Sequence, residues 1–576
     1  MYGICGIVTL KMEECYKLTV KEGLNTMSHS RVDKQKLHYD NNIVFGHVRL
    51  NNNRTVDEQY TQPIVDNNIV ALGNGNVYLA ENKQERNSEN DLKVLIRCII
   101  KEKGNVYRKF DADFAISCYD KENKILYLAR DLFGVKPLYI SWINKETLAF
   151  ASEIKALKKM IKTECSINKQ TILDYLIYGY QLEEKTFFNE IETISPGSIL
   201  VWNIKDGKLE YNKYFKENLQ LQYTDKNNDK DILKEIKKSV RTRLISASKM
   251  GFHLSGGQDS SLIVYLAYEK NKRQQCFTAY RTKNDNDLKF SKKICKKLNC
   301  KQYIVKMKKN NYKELIKILD TPIMAGGDFV PLKIAKLGKK HKINVLLEGQ
   351  GADELFLGYS RFKEINENSN IEKIIEILNN TDLTLFRKLF KLEINEEQIN
   401  NIYAKYLEQG QNNMEKAQLF YIRNFLQEIL RIEYHTHMNY NIENRVPFLS
   451  LEVVKWLNNN EIVINEESNK NAEYNVHKKM NTVLTQRLKK ENLNGSLNDE
   501  LVVNRSKLKK IINQKKIFEE FDYELMNQLL NKNTLKKLNK KEAFLIWHIF
   551  NLSIWYKENK FIEKINIKEI IEESVR

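Results

Sequence analysis

Residues able to hold phosphate cluster in Ser255-Gly256-Gly257-Gln258-Asp259-Ser260-Ser261, between the apolar runs GFHL and LIVYLAYEK. That order is strand, glycine turn, helix. Adjacent glycines let a backbone approach an anion closely, and the free N–H groups that open a helix face it. Ser255 and Ser260 can donate to phosphate oxygens and Asp259 can hold Mg²⁺. The chain lacks GxxxxGK[ST], so this is not the loop of a γ-phosphoryl transferase. A second group, Gly351-Ala352-Asp353-Glu354, places two acids at another strand-to-helix turn, where carboxylates either cap the helix or reach a metal. His435 and His437 in YHTHM have a spacing that binds metal on a strand, but no Cys or carboxylate cluster accompanies them.

Two patterns of elements must position these groups. The first two hundred residues are short β segments (NIVFGHVRL, NIVALGNGNVYL, FAISCYD, ILYLARDLFGVKPLYIS, LAFASE) with two helical stretches, LTVKEGLNTMSHS and NDLKVLIRCIIKEKG. Strands and helices in separate blocks predict a layered α+β domain. Residues 216–230 lose periodicity and predict a linker. Ile232, Leu233, Ile236, Val240 and Leu244 then recur at helical spacing. Beyond them, short strands such as FTAY and INVLLEG alternate with helices, as in a parallel α/β sheet, and from about 365 the pattern is helical.

The length of 576 residues suits two or three domains, and 42% hydrophobic with 29% charged residues is a globular balance. Lys and Arg number 94 against 74 Asp and Glu, a formal net charge of +20. With only 6 Pro and 22 Gly, and Lys, Asn and Ile throughout, that excess reflects a coding bias that places Lys on solvated faces, not a nucleic-acid footprint. No apolar run reaches the roughly 18 residues that cross a bilayer. The start, MYGICGIVTLKMEE, lacks the basic region of a signal peptide. Eight cysteines without CxxC pairs are expected as reduced thiols, which fits a cytoplasmic protein.

The SGGxDSS loop resembles the pyrophosphatase-type loop of ATP-dependent synthetases that adenylate a substrate. Further stretches narrow the resemblance to the asparagine synthetase family over nearly the whole chain: ARDLFGVKPLY (129–139), FASEIKAL (150–157), ISPGSILVW (194–202), LLEGQGADELFLGY (346–359) and NIENRVPFL (441–449). The resemblance implies a glutamine amidotransferase-like domain at 1–215 with an αββα sandwich of the Ntn-hydrolase type. After the linker, 231–576 would be an ATP-binding synthetase domain with an adenine-nucleotide α-hydrolase-like parallel sheet and a large helical portion. Ammonia released in the first half would travel to an acyl-adenylate in the second.

The first half departs from the family pattern. Family glutaminases expose Cys as residue 2, whose free α-amine activates its own thiol; here Met1-Tyr2-Gly3-Ile4-Cys5 puts Tyr2 there. A phenol titrating near pH 10 is a poor substitute. Cys5 could serve only after trimming, and the frame argues against it. The family's RGPD appears as Ser30-Arg31-Val32-Asp33, and its acid after Asn-Gly is Asn76. Arg49, Asn74, Gly75 and Asp91 stand where the family binds the glutamine carboxylate, oxyanion and amine. The expectation is a retained fold that no longer hydrolyses glutamine.

The second half keeps its chemistry. By resemblance, Asp259 and Asp353 hold Mg²⁺ and Leu254, Leu347 and Gly349 line the adenine and ribose pocket. Lys507, in Asn504-Arg505-Ser506-Lys507, supplies a cation to the α-phosphate and acyl oxygen. The acceptor pocket differs: Gln350 replaces the family's acid, and PFLD becomes Pro447-Phe448-Leu449-Ser450. Glu443 either orients and deprotonates an amine or forms a buried ion pair with Arg445. The expected activity is ATP-dependent amide formation with release of AMP and pyrophosphate. The acceptor is a small-molecule or peptide carboxylate. The amine is ammonia or belongs to the substrate, as in the family's lactam and lasso-peptide macrolactam synthetases, which imply a peptide-processing partner. Alternatives are a glutamine-hydrolysing asparagine synthetase, an amidotransferase acting on a cell-wall or glycan carboxylate, and a non-catalytic basic binding protein. Neither nucleic acid nor membrane is expected as a partner; a homodimer fits the family.

Overall fold

A computed structural model describes every residue except 1, 28–31, 51–61, 81–87, 225–231, 246–248, 271–273, 309, 408–409, 464–496, 515 and 576. The first half contains β1 (Tyr2–Thr9), β2 (Val32–Tyr39), β3 (Ile43–Leu50), β4 (Ile64–Asp66), β5 (Ile69–Ala80), β6 (Phe110–Asp120), β7 (Ile125–Arg130), β8 (Tyr139–Asn144), β9 (Thr147–Ala151), β10 (Glu192–Thr193), β11 (Ser198–Asn203) and β12 (Leu209–Lys213). They form two six-stranded sheets, ordered β10-β8-β9-β1-β3-β2 and β12-β11-β7-β6-β5-β4. The period of two along each strand decides the layers. In β1, Ile4 and Val8 enter a layer between the sheets with Phe45, Leu72, Leu128 and Phe150. Cys5 and Ile7 belong instead to the core that contains Val20 and Leu24 of the Cys15–Thr26 helix. The Ser88–Glu102 helix packs on β5, β6 and β7 of the other sheet. The expected αββα sandwich results.

The second half contains β13 (Gln222–Thr224), β14 (Met250–His253), β15 (Gln275–Tyr280), β16 (Lys301–Lys306), β17 (Val345–Leu347), β18 (Glu443–Arg445) and β19 (Glu461–Val463). Five of these form a sheet ordered β16-β15-β14-β17-β18, parallel throughout. The Phe329–Lys340 helix covers one face through Val330, Ile334 and Ala335 against Phe277, Ala279 and Leu346. The chain winds from β14 outward through β15 to β16, then returns to place β17 and β18 on the other side. The carboxyl ends of β14 and β17 therefore flank the point where strand order reverses, the usual ligand crevice of an open α/β sheet.

Two sequence expectations are corrected. The segment read as a linker carries a short helix, Phe215–Asn218, and β13, which pairs parallel with β19. Its sparse apolar residues are enough: Leu219 and Leu221 are buried, and the Tyr223 hydroxyl donates to Gln418 at 2.7 Å. In the region read as helical, ENR is strand β18, because it extends the sheet beside β17, with Leu347 opposite Arg445, while Ile442 and Val446 on either side are buried.

The two halves share a buried charged joint. Arg243, fully buried at the end of the Leu233–Arg243 helix, donates to both oxygens of Asp111 at 2.8 and 3.0 Å and lies 3.7 Å from Asp113. The Tyr78 ring covers its guanidinium at 4.1 Å.

Candidate active site

The phosphate loop closes β14 and opens the Gln258–Tyr268 helix at the reversal point. Its hydroxyls brace one another: Ser255 and Ser260 Oγ lie 2.9 Å apart, Gly257 N–H donates to Ser255 Oγ at 3.2 Å, and Ser261 Oγ donates to Gly257 O at 2.5 Å. The two glycines have different reasons. Gly256 has φ +91°, and a Cβ there would sit 2.2 Å from Asp287 O, so the Asn286–Lys297 helix demands glycine. A Cβ on Gly257 would meet only Ser255 Oγ, at 3.3 Å, which leaves this side open for a ligand's approach.

The second loop follows β17 and packs onto the first. A Cβ on Gly349 would lie 2.9 Å from Ser260 N and 3.1 Å from Asp259 Cβ. The loop so packed runs on into the Ala352–Leu355 helix, whose first turn carries Asp353. Asp259 and Asp353, each in the first turn of a helix that follows a central strand, are the carboxylates available to a Mg²⁺-bound polyphosphate, since Mg²⁺ takes few protein ligands. Glu354 is otherwise engaged: it is buried and accepts the Tyr359 hydroxyl at 2.5 Å. Leu254 and Leu347 are buried at the ends of the two central strands.

Behind the second loop lies a buried acidic pair that sequence reasoning missed. Gln350 Nε2 donates to Glu433 Oε1, on the Leu426–Met438 helix just after the π turn Tyr421–Phe425. Glu433 has Glu348 as its charged neighbour, and Glu348 lies 3.2 Å from His253 Nδ1 and 3.3 Å from His437 Nδ1. Burial pushes the Glu348 carboxyl up to about 8. Burial and the neighbouring Glu348 also push Glu433 well above the carboxylate range. The signal available in the sequence was a lone acid in IEYHTHM, which nothing nearby could explain. His435 and His437 fall on this helix, where a spacing of two residues turns side chains apart.

Glu443 behaves in the opposite way. Burial alone would raise it, but Arg445, at 2.7 Å, and Lys136 hold its carboxyl down to about 2. Of the two readings of Glu443, the structure contains the ion pair, and so acidic a group is a poor base. Lys136, also missed, is a fully buried ammonium from the first half, 3.4 Å from Asn444 Oδ1.

Residues of the glutamine-site pattern reach the same junction. Asn74, Asn76 and Tyr78 lie on one face of β5: Asn74 Nδ2 donates to Tyr434 Oη at 2.9 Å and Asn76 Nδ2 to Glu443 Oε1 at 2.9 Å. Between them, a Cβ on Gly75 would lie 1.8 Å from Asp113 O, so this glycine is fixed by strand pairing. Arg49 is half-buried opposite Tyr2 across β1 and β3. The side chains of Tyr2, Asp33 and Asp91 lie outside the described residues. Cys5 is fully buried within β1 and its thiol donates to Val20 O at 3.7 Å; burial pushes it up, away from thiolate. Lys507, in the Leu497–Gln514 helix, lies over the Tyr312 ring at 4.4 Å. Tyr312 donates to Glu500, which pairs with Arg281 just past β15, so Lys507 stands on the carboxyl rim of the sheet.

Among the described residues no helix is long and apolar enough to cross a membrane. Residues 1–215 match the glutamine amidotransferase domain family and 231–557 match the asparagine synthase family. Three Bacillus subtilis proteins, glutamine-hydrolysing asparagine synthetases 1, 2 and 3, are similar to this chain. They are 30, 26 and 26% identical over 60, 79 and 79% of it and over 56, 66 and 80% of their own lengths.

Proposed function

The chain belongs to the asparagine synthase family, and from that premise we propose that it is a carbon–nitrogen ligase that adenylates a carboxylate with ATP and joins it to an amine not taken from glutamine. The supporting observation is the braced Ser255–Ser261 loop at the reversal point, with Gly349 of the second loop packed onto it. In the first step a carboxylate oxygen attacks the α-phosphorus and pyrophosphate leaves into the loop's N–H groups. Asp259 and Asp353 are the residues to hold Mg²⁺, which supplies charge neutralisation on the departing pyrophosphate. Lys507 is the candidate cation on the rim. In the second step the amine nitrogen attacks the acyl carbon, AMP leaves, and the amine's proton passes to the ionised form of Glu433, which its raised acidity range makes a stronger base than an ordinary carboxylate.

Buried Cys5 and the engagement of Asn76 by Glu443 support a silent glutaminase. The amine is then free ammonia or part of the substrate itself, as in a macrolactam-forming enzyme. The glutamine-hydrolysing reading is favoured by the names of the similar B. subtilis proteins. Pyrophosphate release measured with aspartate plus ammonia, aspartate plus glutamine, and carboxylate-bearing peptides separates them. Asp259→Ala should lower the release at least about 100-fold; an unchanged rate overturns the adenylation reading. No glutamate should form from glutamine, and steady glutamate production abolished by Cys5→Ser would establish the other reading.

A further inference from the structure

Three thiols converge on one face of the parallel sheet, outside the site described above. Cys276 in β15 faces the Asn286–Lys297 helix, which carries Cys295, and two residues before it the Gln274 side chain meets the Cys300 thiol. The backbone fixes the group: Cys300 N–H donates to Cys295 O at 2.9 Å, and Cys276 stands opposite Gln302 in β16. Cys276 is fully buried and Cys295 nearly so, whereas Cys300 is partly open to solvent. Cys300 Sγ also lies 3.5 Å from Gln274 Oε1, and Gln274 Nε2 donates at 3.1 Å to Val264 O in the helix that the phosphate loop opens. The same face carries a second connection. Gln302 Nε2 donates at 3.0 Å to Thr278 Oγ1, which donates at 2.7 Å to Leu254 O, the residue before the loop. The helix bearing Cys295 begins against Gly256.

We propose that Cys300, Cys276 and Cys295 form an oxidation-sensing site in which a peroxide joins Cys300 to Cys276 and so distorts the phosphate loop. Cys300 is the entry point, because it is the accessible member and the hydrogen bond from Cys276 favours its thiolate. Its sulfur attacks the peroxide, the O–O bond breaks, and a sulfenic acid and one water form. Cys276 sulfur then attacks the sulfenic sulfur. The S–S bond forms, the S–O bond breaks, and a second water leaves with the Cys276 proton. Two thiols lose two electrons and the peroxide gains them. A thiol reductant reverses the change.

The disulfide is independent of the adenylation reading, whereas its effect on the loop rests on it, so two readouts are needed. The full chain is treated with hydrogen peroxide, alkylated and digested for peptide mapping. A Cys276–Cys300 link is expected before modification of exposed Cys15, and it should be absent in Cys300→Ser. Overoxidised Cys300 without a link, or a Cys276–Cys295 link instead, overturns the assignment. ATP binding by the linked protein should weaken at least about fivefold and recover with dithiothreitol, while peroxide-treated Cys300→Ser keeps its affinity. Unchanged binding by fully linked protein overturns the coupling to the loop. Failure of both treated and untreated wild type to bind ATP would count against the adenylation reading, leaving the disulfide to stand on the peptide map.

Discussion

Glu433 and Glu443 bring the same carboxyl group to one buried junction and leave it with opposite acidities. Glu443 sits against two cations and stays ionised; Glu433 sits against another acid and is pushed well above the usual carboxylate range. A base for an amine must have a pKa near the working range, so the role falls to Glu433. Glu433→Gln should lower kcat for amide formation roughly 10²- to 10⁴-fold while ATP-dependent pyrophosphate release with the carboxylate alone persists, as single-turnover kinetics can show. Equal loss in both steps would remove the assignment. The phosphate loop was legible in the sequence because its parts are contiguous and each glycine and hydroxyl has a local job. Glu433 was not, because its meaning comes from Glu348 and Gln350, which only the folded sheet brings to its helix.

At the scale of elements, strand ends set the chemistry. Glu348 stands at the end of β17, facing Glu433 and His437 from one helix and His253 at the end of β14, with Lys136 acting across the junction. Folding raises its carboxyl from an ordinary 4.5 to about 8. Between those values the folded chain keeps a proton that the unfolded chain loses. The folded state therefore binds more protons, and stability falls as pH rises from about 4.5 to about 8, then levels. Glu348→Gln should flatten that decline in urea melts run across the window; an identical slope would show that other groups carry it. The Cys15–Thr26 and Ser88–Glu102 helices and strands β14, β15 and β17 were legible from periodicity, while the Ile154–Met160 and Lys169–Tyr178 helices and β16 were not read from it. Strands β13 and β18 were not, since each is three residues long and pairs with a partner that sequence alone cannot supply.

For the whole molecule, the joint at Arg243 makes the halves one cooperative body. Its guanidinium is fully buried and carries a bidentate pair to Asp111 from the other half. Asp111→Ala strands that charge and should cost about 3–5 kcal/mol, seen as a lower urea midpoint or as separation of one transition into two. A change under about 0.5 kcal/mol would mean that water or Asp113 replaces the lost carboxylate. Two-domain organisation was visible in the sequence, because a β-rich pattern gives way to alternating strands and helices. The tightness of the joint was not, since no local pattern pairs Asp111 with Arg243.

The bond from Asn76 to Glu443 bears on how this chain could be recombined with its relatives. Grafting onto it an amidotransferase half that carries an acid at position 76 would set two carboxylates face to face in a buried seam, next to a glutamate already committed to Arg445. Such a chimera begins with a mismatch at the seam even if both parents fold well. Placing a cysteine at position 2 would leave that mismatch untouched. An acid introduced at position 76 would therefore have to be accompanied by a change at position 443.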